Sequence, residues 1–156
     1  PNVIHSLDVW HKSKSIKKCL AKLAKPKAMQ KVKDWSSHIV RHFWYCCSSC
    51  RQDNATSDDE ALRLMKVCST SFYYSLFIQR IVASKFLLLI QDKWIGLLHH
   101  ICNEHEWLGG QCDHDDDSHD ESLPWFDHRD KDFAELQKII LNPELLASFK
   151  YYTRFR

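Results

Sequence analysis

Glycine and proline are scarce in this chain of 156 residues, at three and four positions respectively. Collagen-like repeats and loop-built β proteins need far more of both, so the shortage points to a helical fold. Acid is missing from residues 12 to 33, where nine lysines meet no aspartate or glutamate. The strings GxGxxG, GxxxxGK[ST], HExxH and GxSxG are absent as well, which leaves nucleotide loops and common hydrolase sites without a basis; no small-molecule substrate is expected. The first residues lack the charged start and apolar core of a secretory signal. Cysteine is present but odd in number, at seven, with several copies close to histidine. A reducing compartment, with thiols available to a metal, is the expectation.

What is there suffices for a packed core: 44% of residues are hydrophobic, 27% are charged, and six are tryptophan. The net charge of +2 conceals a basic arm at 12 to 33 and an acidic loop at 113 to 121 that holds five aspartates and a glutamate. Aspartates and histidines in such a run are more often a solvated loop than a cation site, and no site is assigned to them.

The apolar pattern has a helical period almost throughout. Residues 2–9 are short and β-branched enough for a strand ending near Asp8. From Lys12, Ile16, Cys19, Leu20, Leu23 and Ala24 recur at helical steps, opposite a lysine face. Beyond Pro26, Met29, Val32, Trp35, Ile39, Val40 and Phe43 keep the same period up to the thiol cluster at 46–50. Ser57 and Glu60 form a capping box for a helix from about Asp58. Trp94, Leu97, Leu98 and Ile101 mark another helix that stops near Asn103. Phe133, Leu136, Ile139 and Ile140 mark the last, which restarts at Pro143.

Two short motifs carry metal-binding chemistry. Cys47-x-x-Cys50 ends one helix, and His100-x-x-x-x-His105 ends another. Two thiolates and two imidazoles suit tetrahedral Zn²⁺, which would staple the two helix ends together. Residues five apart lie about 140° apart around an ideal helix, so His105 must follow a break in the helix, which Asn103 permits. Cys102, Cys112, His99 and His114 are substitutes of the same donor type. The bland alternative is that Cys46, Cys47 and Cys50 are small core residues and the histidines cap a helix.

The string Ser6-Leu7-Asp8-Val9-Trp10-His11-Lys12, followed by a lysine-rich helix, resembles the second catalytic aspartate of eukaryotic DDE transposases of the P-element and Kolobok-like grouping. The resemblance implies an RNase H-like core with Asp8 at a strand end, then a helical insertion. Several members carry C-x-x-C and later H-x-x-x-x-H in that insertion, as does the V(D)J recombinase catalytic subunit; Cys47, Cys50, His100 and His105 match in order and spacing. The implied architecture is mainly α, with a partial RNase H-like core of one strand and one helix over 1–26 and an all-helical insertion domain over 27–156. The closing string at 151–156 resembles the approach to the helix that bears the catalytic glutamate.

Relatives of this kind hold two Mg²⁺ ions with three carboxylates and transfer DNA strands by in-line attack. Asp8 is the only one of the three matched here, and a single carboxylate cannot hold two hard cations. The expectation is therefore a catalytically incomplete, transposase-derived protein, nuclear by resemblance, with structural zinc and with Mg²⁺ bound only in a complete relative. DNA is the partner the resemblance implies. Lys12, Lys14, Lys17, Lys18 and Lys22 would meet its phosphates, although a lysine face is equally often merely solvated. The rival expectation is a non-catalytic, zinc-stabilised helical module for protein interaction. Oligomeric state is not legible.

Residues 67–91 stand apart from their flanks, with no acid and an apolar ending. A membrane span is disfavoured by Gln79, Arg80 and Lys85 in the middle of the stretch. A buried hydrophobic helix is one remaining reading. The other is an in-frame unspliced intron, because a valine codon begins with GT and Phe-Leu-Leu-Leu-Ile-Gln can be encoded by a pyrimidine tract ending in CAG. On that hypothesis, transcripts crossing the position lack the segment in part of the pool; reads that always retain it would rule the intron out.

Overall fold

The computed structural model describes residues 9–49, 87–108, 110–113 and 123–152. Helix α1 spans Val9–Leu23 and buries Val9, Ser13, Ile16 and Leu20, a single stripe at steps of three and four. Val9 therefore belongs to a helix, where the sequence pattern had placed it in a strand; Asp8 and the rest of that strand lie outside the described residues. Ser13 conceals the early start of the stripe, since it is polar yet buried, its hydroxyl donating to the Trp10 carbonyl at 2.8 Å.

Pro26 in extended geometry breaks the chain after α1, and one 3₁₀ turn at Lys27–Met29 leads into α2, Gln30–Ser49. Helix α2 buries Val32, Trp35, Ile39, Phe43, Cys46 and Cys47. Helix α3 is described over 87–100 and buries Ile90, Trp94, Leu97 and Leu98. The last residues of the 67–91 stretch thus enter the core: Ile90 is fully enclosed, and the Gln91 amide donates to the Leu146 carbonyl at 3.0 Å. The capping box at Ser57 and Glu60 lies outside the described residues.

Helix α4, Lys131–Ile140, packs on both α1 and α2. Helix α5, Pro143–Ser148, opens with proline in its first turn and with the Asn142 side chain capping the Leu145 amide. Phe43, Trp94, Phe149 and Tyr152 meet edge-on or tilted where α2, α3 and the C-terminal turn converge. The Trp94 indole N–H donates to the Ile140 carbonyl at 2.9 Å, so this large ring is buried with its polar atom satisfied. One cluster of buried residues runs from Val9 to Tyr152, joining both sides of residue 26. Among the described residues the fold is mainly α, and no helix is long and apolar enough to cross a membrane.

The sheet among the described residues is a hairpin of two-residue strands, β1 Glu106–Trp107 and β2 Gly110–Gln111, antiparallel, with Trp107 opposite Gly110. A two-stranded ribbon this short has little stability of its own. It is held by Trp107, whose ring lies on Gly96 of α3 and stacks on His99 at 5.0 Å between centroids. A β-carbon on Gly96 would come within 2.7 Å of that ring. Gly96→Ala should therefore lever the hairpin off the helix at a net cost of about 1–2 kcal/mol, overpacking outweighing the better helix propensity of alanine. Thermal unfolding should show Tm lowered by roughly 2–6 °C; an unchanged or raised Tm would mean that propensity decides and the contact is slack.

Candidate metal centre

Three donors converge where α3 ends. His100 lies in the last turn of α3, and the chain then reverses at Asn103, which takes the left-handed φ of 63°. The Glu104 amide donates to the His99 carbonyl at 3.0 Å, and the Asn103 amide to the His100 carbonyl at 3.0 Å. That paired pattern is a Schellman closure, in which asparagine can stand for glycine. The reversal brings His105 back beside His100, with rings 5.2 Å apart and nearly perpendicular. After the hairpin, the Cys112 amide donates to the His105 carbonyl at 2.9 Å, which sets the thiol next to His100.

The donor atoms of His100, His105 and Cys112 all lie within 4.8 Å of one another, and each of the three residues is half-buried. Cys112 Sγ is 3.5 Å from His100 Nδ1. Ordinary Zn–S and Zn–N bonds at a tetrahedral angle put sulfur and nitrogen about 3.6 Å apart, so this pair already has the spacing of one edge of a zinc tetrahedron. Trp35 and Trp125 wall the group: Trp35 stands 5.8 Å from the His100 ring, and Trp125 stands 6.1 Å and 6.2 Å from His100 and His105. The Trp35 indole donates to the Pro124 carbonyl at 2.8 Å, tying α2 to the segment that carries Trp125.

His100 and His105 of the expected site come together; of its two cysteines, Cys47 alone is among the described residues. Cys47 is not in the group; it is 2% exposed in the apolar stripe of α2. It is twelve residues beyond Trp35, the residue of that helix which touches His100, a distance of about 18 Å along a helix axis. Its neighbour is Tyr152, whose hydroxyl is pushed above its ordinary pKa chiefly by burial and in small part by the Cys47 sulfur. Cys46 is fully buried, with Sγ 3.3 Å from His42 Nε2. The thiol that lies beside the two histidines is that of Cys112, one of the substitutes of like donor type. Cys50, His114 and Asp8 lie outside the described residues.

Two other substitutes, His99 and Cys102, serve a neighbouring network. Glu104 accepts from His99 Nδ1 at 2.7 Å and from His128 Nε2 at 2.8 Å. Those hydrogen bonds, that of His128 first, hold its carboxyl below the ordinary range. The Cys102 sulfur lies 3.8 Å from His128 Nδ1, but burial, followed by the charges of Glu104, Asp127 and Asp130, pushes its pKa up to about 11. A thiol so protonated at neutral pH is a poor nucleophile.

On α1, Lys14, Lys17, Lys18 and Lys22 are exposed and Lys12 is half-buried. The Lys14 ammonium sits 3.3 Å above the centre of the Trp10 ring. The ion pairs among the described residues lie elsewhere, at Lys31–Asp130, Lys93–Asp113, Lys138–Glu135 and the two histidine contacts of Glu104. Compared with protein-family models, curated proteins and solved structures, the chain matches none.

Proposed function

We propose that this protein is a zinc-stapled helical domain that binds DNA through the lysine face of α1. The convergence of His100, His105 and Cys112 within 4.8 Å carries the metal part of the reading. Two imidazoles and a thiolate form a borderline donor set that suits Zn²⁺ better than the hard cations Mg²⁺ or Ca²⁺. Zinc there would lock the end of α3 to the hairpin. His100 and His105 would bind it as neutral imidazoles and Cys112 as thiolate, so binding releases protons.

Co²⁺ makes the site visible. The protein under anaerobic conditions should take up one Co²⁺, with absorption from thiolate-to-metal charge transfer. Cys112→Ser should abolish that band and weaken binding by at least about tenfold, the scale on which changes even to partners of the ligands act, whereas Cys47→Ser should leave both intact. Loss of the band in Cys47→Ser with retention in Cys112→Ser would restore the pairing read from the sequence and refute the assignment made here.

The DNA part rests on α1, where Lys12, Lys14, Lys17, Lys18 and Lys22 have no acidic partner among the described residues. Such a surface attracts phosphates with little regard to base sequence. Descent from a DDE transposase, with Asp8 matching a catalytic carboxylate of that family, is the origin this reading supposes.

Anisotropy of labelled duplex DNA over a salt series tests the interface. Replacing Lys17, Lys18 and Lys22 by glutamine should weaken binding and flatten the slope of log K against log salt by about 2.7, if each lysine meets one phosphate. A triple variant with wild-type affinity and slope would remove α1 from the interface and favour the protein-interaction module.

A further inference from the structure

Of the three donors His100 alone sits in a helix; Cys112 follows a two-residue strand, so its place depends on what holds the hairpin end. The residue after Cys112 is anchored firmly. The Asp113 carboxylate accepts a hydrogen bond from the Tyr45 hydroxyl at 2.6 Å and pairs through the same oxygen with the Lys93 ammonium. Tyr45 belongs to α2 and Lys93 to α3, so one carboxylate joins the hairpin end to both helices. Lys93 also stands 5.5 Å above the Tyr45 ring, and its carbonyl lies 2.9 Å from His42 Nε2. Hydrogen bonds from Lys93 and Tyr45 hold the Asp113 carboxyl below its ordinary pKa.

The pair is too exposed to matter much for stability, with Asp113 46% and Lys93 21% accessible, and ion pairs in that setting contribute little. Its geometry gives it a different use. Lys93 is seven residues before His100 on the same helix, about 10 Å along the axis. A tether from Lys93 to Asp113 therefore fixes the residue after Cys112 relative to the helix that carries His100. The hydrogen bond from the Cys112 amide to His105 fixes the other side. Cys112 is thus pinned from both directions, and its sulfur stands at ligand spacing from His100.

We infer that Asp113, clasped by Tyr45 and Lys93, is a positioning residue that preorganises Cys112 for the metal. The inference rests on the zinc reading above and adds residues that do not themselves touch the ion. Preorganisation removes ordering entropy from the binding step, so the latch acts on affinity and leaves the ligand set unchanged. Partners that orient metal ligands typically change affinity by about 10–100-fold when removed.

Co²⁺ titration of the full chain, carried out on wild type, Asp113→Asn, Tyr45→Phe and Lys93→Arg, tests this. Asp113→Asn should raise the Co²⁺ Kd about tenfold, Tyr45→Phe should raise it less, and Lys93→Arg should stay near wild type. At saturating Co²⁺ the charge-transfer band should keep its energy in every variant, because Cys112 still binds once the metal is forced in. The metal-free Tm should move by no more than a few degrees. Tyr45→Phe removes one exposed hydroxyl and keeps the ring, so it answers the question even if Asp113→Asn unfolds. Wild-type Kd in both Asp113→Asn and Tyr45→Phe would overturn the latch while leaving the metal site standing. A wild-type protein that takes up no Co²⁺ would overturn the metal reading and the latch with it.

Discussion

The reversal of the chain at Asn103 is the constraint on which the rest of the centre depends. An ideal helix would carry His105 away from His100 around the axis, and no rotamer change would bring the two imidazoles onto one ion. The left-handed φ at Asn103 and the paired hydrogen bonds to His99 and His100 stop the helix and send the chain back. Asparagine tolerates that conformation at modest cost where a branched side chain would not. Once the turn is made, the hairpin can only leave along α3, and Gly96 gives the Trp107 ring room to lie there.

Around this turn the chain spends its aromatic residues twice. One set, Phe43, Trp94, Phe149 and Tyr152, fills the centre of the helical core. The other lies around the histidines, Trp35 and Trp125 against His100 and His105 and Trp107 against His99. Trp35 and Trp94 each donate an indole N–H to a main-chain carbonyl, of Pro124 and Ile140, so the rings also dictate where the later segments run. Core and centre are in this way one construction. The helix that supplies His100 is also the helix whose Ile90 and Trp94 are fully enclosed.

Much of this was legible in the residue order. The helical period marked α1 to α4, Pro26 and Pro143 marked their breaks, and the spacing of His100 and His105 with Asn103 between them called for an unwound turn. The cysteines show where such reading stops. Cys46 and Cys47 stand three and four residues after Phe43, on the apolar stripe of α2, and that period signalled burial as plainly as Cys-x-x-Cys signalled a metal. At the other end, Val9 lies four residues before Ser13 and seven before Ile16, so the stripe of α1 begins with it; a buried serine in the pattern made a strand look as good.

The sequence by itself determined the helical class, the faces the helices bury and the turn that pairs the two histidines, because these follow from local period and backbone sterics acting within a few residues. The tertiary structure alone decided that Cys112, not Cys47, stands beside them, and that Asp113 reaches Tyr45 and Lys93. Both depend on how a hairpin packs against α3 and how α3 packs against α2. Such distances are set by the volumes of Trp107, Gly96 and Trp35 at the contacts, and no spacing along the chain encodes them.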